Sequence, residues 1–405
     1  MTTLALEYFR SVPRYLGART VGAKAPGLIA GPLAPLRLVN RKDPEPPRGR
    51  EGWARVKPLL SGICGSDLAT IAGRSSFYFS PLVSLPFVPG HEVVGELMDD
   101  CDGMAKGSRV VLSSVLACAA RGEDPACANC AAGTPNRCDR VTVGHLKPAL
   151  QTGYSTETSG GWGRQMIAHR SQLWAVPEGM DDRTAVLVEP FADAIHAALR
   201  ARIAPGATVL IVGAGTVGLL TLLAVKLLTQ AGHVTVAAKH ERQRAAARMA
   251  GADEVVRPEH ATKCVRRHAA AVKLTPERGQ DFLLGGVDVS LECTGSRSAL
   301  DLALRTTCAG GRVVVSGIPG PGADLTPLWF RELEMVGAYT TALETLQDGT
   351  QKHSFELAIE MASNLPMLAD MVGATYPLDR WRDAIDHAMS AGSLGTFKVA
   401  FAPQA

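Results

Sequence analysis

The sequence predicts an α/β protein built in two parts: an irregular β-rich region, then a parallel sheet with helices on both faces. Three observations lead there. The chain has 405 residues, more than one hydrophobic core ordinarily supports, so two domains are expected. Up to about residue 190, short apolar segments are cut by Gly, Pro and Asp. From residue 191 onward, apolar strands alternate with segments of helical period.

In order along the chain, EGWARVKPLLSG, VVGELMDD and GSRVVLSSVL have strand character and end in turn-forming residues. FADAIHAALRAR then carries apolar residues at helical spacing. TVLIV, VTVAA, VDVSLE and RVVVSG follow as strands, separated by helical stretches such as RQRAAARMAG and SALDLALRTT. Buried strands alternating with helices indicate a parallel sheet covered on both faces. After about residue 340 a helix-rich tail leads to a last strand, GTFKVAF.

Composition narrows the function. The net charge is +3 with 20% charged residues and no long block of one sign, so nothing electrostatic points to nucleic acid or a membrane surface. The opening MTTLALEYFRSVPRYLG lacks the pattern of a signal peptide. Residues 203–225 carry no charge, but Pro205, Gly206, Gly213, Gly215 and Gly218 interrupt them. A strand, a glycine turn and a buried helix explain that stretch better than a membrane span. Nine cysteines, an odd number without an export signal, point to a reducing cytosol where lasting disulfides are rare.

Four of those cysteines fall within CAARGEDPACANCAAGTPNRC, residues 118–138. A redox pair at Cys127 and Cys130 would sit at a helix start after a strand, whereas this pair lies in a loop rich in Gly, Pro and Asn. A structural zinc held by Cys118, Cys127, Cys130 and Cys138 is the expectation, since metal binding can order a lobe that has little apolar content. Asp124 competes with Cys118 for the fourth place, but a soft thiolate suits zinc better.

TVLIVGAGTVGLLTLLAV places Gly213, Gly215 and Gly218 as G-x-G-x-x-G between a strand and a helix that opens at Thr216 and Val217. These glycines allow a tight turn, approach of the backbone to a pyrophosphate and close strand–helix packing, with the helix N-terminus toward the anion. The next strand, HVTVAA, would end in a carboxylate if the site favoured NAD(H). It ends in Ala237 and Ala238, followed by Lys239, His240, Glu241 and Arg242. Lys239, His240 and Arg242 suit a ribose 2′-phosphate, so NADP(H) is preferred over NAD(H); the plainer alternative is a solvated basic helix start.

Three further segments hold ligand-type side chains: Cys64, Ser66 and Asp67 in SGICGSD, His91 and Glu92 in PGHEVVGE, and Glu189, Asp193 and His196 in VLVEPFADAIHA. Such a mixed set from distant parts of the chain has the composition of a catalytic zinc site that keeps a position open. Phe77, Tyr78, Phe79, Phe87 and Trp162 could wall a cleft or simply pack. Cys101, Cys264, Cys293 and Cys308 lack partners at metal spacing and read as core or surface residues.

Taken in order, GICGSD, PGHEVVGE, the four-cysteine loop, EPFADAIHA and VLIVGAGTVG resemble the zinc-dependent medium-chain alcohol dehydrogenases over nearly the whole chain. The resemblance implies a GroES-like β-rich catalytic domain, residues 1–190 with the zinc lobe 118–138, resumed at 341–405 around an inserted Rossmann domain at 191–340. It implies two zincs per chain, a cleft between the domains as active site, and a homodimer or homotetramer in the cytoplasm. Carried over by position, Cys64, His91 and Glu189 are the catalytic zinc ligands and Glu92 a carboxylate that approaches or exchanges onto the metal. Glu189 is similar to the polyol, glucose and threonine dehydrogenase branch. Ser66 would take the substrate's proton while hydride passes between carbinol carbon and nicotinamide. Asp193 and His196 would support the site or merely pack. Ala69 stands where many relatives carry a proton-relaying histidine, which leaves the cofactor ribose with a water, His145 or His169 as substitutes. The implied substrate is a secondary alcohol, a polyol or a ketone or aldehyde. The rivals are a zinc-free NADPH-dependent reductase of quinones or activated double bonds, and a non-enzymatic zinc-binding protein.

Overall fold

A computed structural model describes residues 2–22 and 26–405. It divides into two compact units, residues 1–189 with 358–405, and residues 190–357.

The first unit is organised on Trp53–Gly62, which gives Ala54 and Val56 to one core and runs on into Ile63 of a second. Lys398–Phe401 pairs antiparallel with its C-terminal end, Met166–His169 with its N-terminal half, and Val93–Leu97 runs along its other edge. Arg109–Leu112 and Leu173–Ala175 extend that edge, while Val372–Tyr376 closes the opposite one. Ala54, Val56, Leu97, Val110 and Met166 form one core. Trp162 centres the other, with its ring 5.0 Å from Phe401 and its indole N–H donating to Gly62 O at 3.3 Å. Trp162 is therefore a packing residue, fully buried.

The second unit is a six-stranded parallel sheet in the order Glu254–Val256, His233–Ala237, Thr208–Val212, Val287–Glu292, Thr307–Val315, Glu334–Gly337. The first strand in sequence lies at the centre and the order reverses beside it, the doubly wound arrangement whose crevice accepts dinucleotides. Gly213 turns with φ +105°, and a Cβ on Gly218 would lie 2.1 Å from Gly213 O, so both positions need glycine. The uncharged stretch 203–225 thus becomes strand, turn and the helix Thr216–Leu228. Among the described residues no helix is long and apolar enough to cross a membrane.

The chain re-enters the first unit at Ala358, inside the helix Ser354–Ser363, rather than at 341. The reason is a buried contact. Glu344, in the hairpin of Leu343–Thr345 with Gln351–His353, meets His196 Nδ1 at 2.6 Å and holds that hairpin in the second unit. His196 is spent on this pair.

Candidate active site and cysteine lobe

Trp53–Gly62 runs directly into Cys64, the N-cap of the helix Gly65–Ile71. Asp67 Oδ2 accepts the Cys64 N–H at 3.0 Å, which closes the turn and fixes Cys64, Ser66 and Asp67 as one group. His91 and Glu92 arrive through the turn before Val93–Leu97. Gly90 lies there at φ +98°, where a Cβ would meet Trp162 Cδ1 at 2.5 Å. Gly62 opens the space for the next carboxylate, since a Cβ on it would lie 1.9 Å from Glu92 Oε2.

These turns bring ligand atoms of Cys64, His91 and Glu92 within 4.8 Å of one another, with His91 4% and Glu92 1% exposed. Glu92 shares the turn of His91 and so sits among the three. Glu189 arrives on a separate helix, Val188–Arg200, and lies outside the group, although its charge acts on His91 and Lys398.

Lys398 has no counterpart among the sequence-predicted residues. It is buried in the closing strand, and its Nζ donates to both Glu92 oxygens at 2.6 Å. A lysine amid the apolar residues of GTFKVAF was the available signal, because a buried ammonium requires a buried anion. Burial works against its charge, and Glu92 with Cys64 outweighs that and raises its pKa. His91 behaves alike: burial pushes it down, but Asp67, 3.6 Å from Nδ1, together with Cys64 and Glu189, holds it well above its ordinary range. The anions that raise these two groups would equally favour a divalent cation. A thiol, an imidazole and a carboxylate facing one point fit zinc with an open position.

Beside the trio Tyr8, Asp67, Thr70, Phe87, Pro89 and Tyr154 close around a small gap that is too tight for a water molecule. Tyr8 stacks on Phe87 at 4.9 Å, and Phe87 meets Tyr154 at 5.2 Å. Of the predicted aromatic wall only Phe87 is here; Phe77 and Tyr78 are exposed. Burial, then the charge of Asp67, raises the Tyr154 phenol well above its ordinary value, while the hydroxyls of Thr70 and Ser66 act to lower it. Ser66 Oγ is buried and makes no well-formed hydrogen bond. His145 and His169 do not take the place of the missing histidine. Both rings abut Trp53, at 6.1 and 5.5 Å, with Nδ1 atoms turned to Arg121 O and Ser171.

In the cysteine lobe, Cys118, Cys127, Cys130 and Cys138 also bring their sulfurs within 4.8 Å of one another. Cys118 and Cys138 stand 3.6 Å apart, no disulfide, and Asp124 is outside the cluster. Backbone N–H groups of Cys127 and Arg140 donate to the sulfurs of Cys118 and Cys138 at 3.4 Å. Burial pushes the Cys127 thiol up, but N–H donors from Cys130 and Asp139 bring it down to about 6. Four thiols with such donors have the chemistry of a closed zinc site. Arg121, wholly buried, fastens the lobe: its guanidinium donates to the carbonyls of Leu116, Val143, Leu146, Lys147 and Ala149. Sequence reasoning missed it, since a lone arginine in a loop gives no signal.

In the second unit Lys239 and Arg242 are exposed and His240 caps the helix Glu241–Met249. Glu241, the one acid here, pairs with Arg244 and Arg248. Arg244 is buried and donates to Ala238 O and Lys239 O, shaping the loop that presents the cations. Asp193 lies half-buried on Val188–Arg200, one turn after Glu189.

The family described as zinc-binding dehydrogenase matches residues 216–364, and the alcohol dehydrogenase GroES-like domain matches residues 50–178. L-idonate 5-dehydrogenase of Vitis vinifera is 28% identical over 290 residues, covering 70% of this chain and 72% of that one. Sorbitol dehydrogenase of Bacillus subtilis (strain 168) is 27% identical over 344 residues, covering 82% and 86%. A protein of Sinorhizobium meliloti 1021 crystallised with NADP superposes with TM-score 0.70 at 24% identity, each chain covered in full (100%), a likeness of fold. With a GroES-like first unit, a doubly wound second unit and these relatives, the chain belongs to the zinc-type medium-chain dehydrogenase/reductase family and is an oxidoreductase.

Proposed function

We propose that the protein is an NADP(H)-dependent dehydrogenase or carbonyl reductase acting on a secondary alcohol or polyol and the matching ketone. The convergence of Cys64, His91 and Glu92 beside Ser66 is the observation that carries this reading. Cys64, His91 and Glu92 would hold the catalytic zinc, with Glu189 close enough to contribute its charge, and the four cysteines the structural one. When bound, the catalytic zinc supplies Lewis acidity to the substrate oxygen, and the nicotinamide exchanges hydride with the adjoining carbon.

The chain's own residues do the rest. Ser66 accepts the substrate's hydroxyl proton. Tyr154 and Thr70 carry it onward in place of the histidine absent at Ala69, with Thr70 Oγ1 and Ser75 Oγ already 2.9 Å apart. Lys398 orients the Glu92 carboxylate and offsets part of its charge. Tyr8 and Phe87, stacked together, keep water from the Tyr154 and Asp67 side of the site. Lys239 and Arg242 support the NADP(H) preference, because they are exposed and the neighbouring acid is already paired. We further place the enzyme in the cytoplasm as a homodimer or homotetramer, in keeping with its nine free cysteines.

A panel of polyols, secondary alcohols and their ketones, run with NADP(H) and NAD(H) beside metal analysis, tests the proposal. Zinc-dependent turnover of an alcohol with better efficiency for NADP(H) is expected. Zinc-independent reduction of quinones or activated double bonds, or equal efficiency with NAD(H), would refute the corresponding part.

A further inference from the structure

We propose that His233, Glu254 and His268 form a separate binding site for a zinc-class divalent cation on the nucleotide-binding unit. One nitrogen from each histidine and a carboxylate oxygen of Glu254 lie within 4.8 Å of one another. Two imidazoles and one carboxylate are a donor set suited to borderline divalent metals, with positions left for water.

The fold brings them together from three elements. His233 opens the strand His233–Ala237, Glu254 opens the neighbouring parallel strand Glu254–Val256, and His268 ends the helix Pro258–His268. His233 pairs in register with Thr208, whereas Ala237 pairs with Val212, next to the glycine turn. The cluster thus lies at the end of the sheet away from that turn.

An ion pair between His268 and Glu254 accounts for only part of the arrangement. The second imidazole, His233, stacks on His268 with centroids 4.1 Å apart and planes at 26°. Its Nε2 is buried without a hydrogen-bond partner among the described residues. Two facing imidazoles repel one another if both are charged, and burial, then His268, lowers the pKa of His233.

Neighbouring groups orient the carboxylate, as outer-shell partners of metal sites do. Arg267 takes Glu254 Oε1 at 2.5 Å and leaves Oε2 facing His268. The Cys264 thiol, which burial and Glu254 push up to about 12, stays protonated and interacts with Glu254 as a donor rather than as a further ligand. Asp253 is engaged by Lys226 and by the Val234 N–H.

Zinc titration calorimetry on the full chain, His233→Gln, His268→Gln and Glu254→Gln tests the assignment. All proteins are first loaded with zinc and desalted, so sites at Cys64 and in the cysteine lobe cancel. The expected result is one additional binding event in the unmodified chain, weakened at least ~10-fold in each variant. Added zinc should raise the melting temperature of the unmodified chain and not that of His233→Gln, whose circular dichroism verifies its fold. Zinc-edge anomalous scattering from zinc-soaked crystals should peak between the three side chains. Equal uptake in all four proteins, no additional event, or no anomalous peak there would overturn the assignment and leave a simple ion pair.

Discussion

The cysteine lobe and the Cys64–His91–Glu92 group each gather side chains able to hold a metal, but by opposite means. The lobe draws all four from residues 118–138, on short helical turns tied down by one buried arginine. The other group needs a helix cap, a glycine turn and, through Lys398, a strand 306 positions beyond Glu92. The lobe is closed, all thiol and stiffened by N–H donors. The trio mixes donors, packs against aromatic rings and depends on the sheet for its shape. A site that only has to hold can be local. One that must hold a metal and also admit a substrate is assembled from several elements that fix it independently.

That contrast can be broken at several points. His91→Ala should lower kcat/KM on the order of 10³-fold, about 4 kcal/mol, while zinc in the lobe stays bound. Steady-state kinetics with metal analysis would read both. Lys398→Met leaves the Glu92 carboxylate buried without its cation and should cost about 3 kcal/mol of stability in a denaturant titration. Lys398→Arg should recover part of it. In the lobe, Cys127→Ser should release one zinc and cost about 2 kcal/mol, yet leave kcat per folded molecule nearly intact. Asp124→Asn should change neither. Tyr154→Phe should reduce kcat about tenfold and alter its pH profile, with KM for the cofactor unmoved. The smallest effect is expected from Lys239→Ala with Arg242→Ala: a loss of about 1 kcal/mol in NADP(H) efficiency that NAD(H) does not share.

These expectations also mark how far the sequence could be read. Contacts within a short span were legible: C-x2-C spacing gathered the lobe, G-x-G-x-x-G between strand and helix located the turn, and alternation revealed the parallel sheet. The relation of Cys64 to His91 was available only through the family resemblance of GICGSD and PGHEVVGE. Pairings set by the sheet were hidden. Nothing near Lys398 names Glu92 as its partner, and nothing near Tyr154 announces Ser66 or Thr70. The family resemblance ranked Glu189 as a ligand ahead of Glu92, whereas the backbone path places Glu92 beside His91 and Glu189 on a separate helix. The return to the first unit was expected at 341 because helical texture begins there, whereas the buried His196–Glu344 pair keeps the chain in the second unit until 357.

Zinc-edge anomalous diffraction from crystals of the active, zinc-loaded enzyme addresses the central claim most directly. The account predicts a peak bonded to Cys64 and His91, with a carboxylate of Glu92 or Glu189 completing the protein ligands. Density without a zinc signal at that point, in enzyme that still turns over an alcohol, would contradict it.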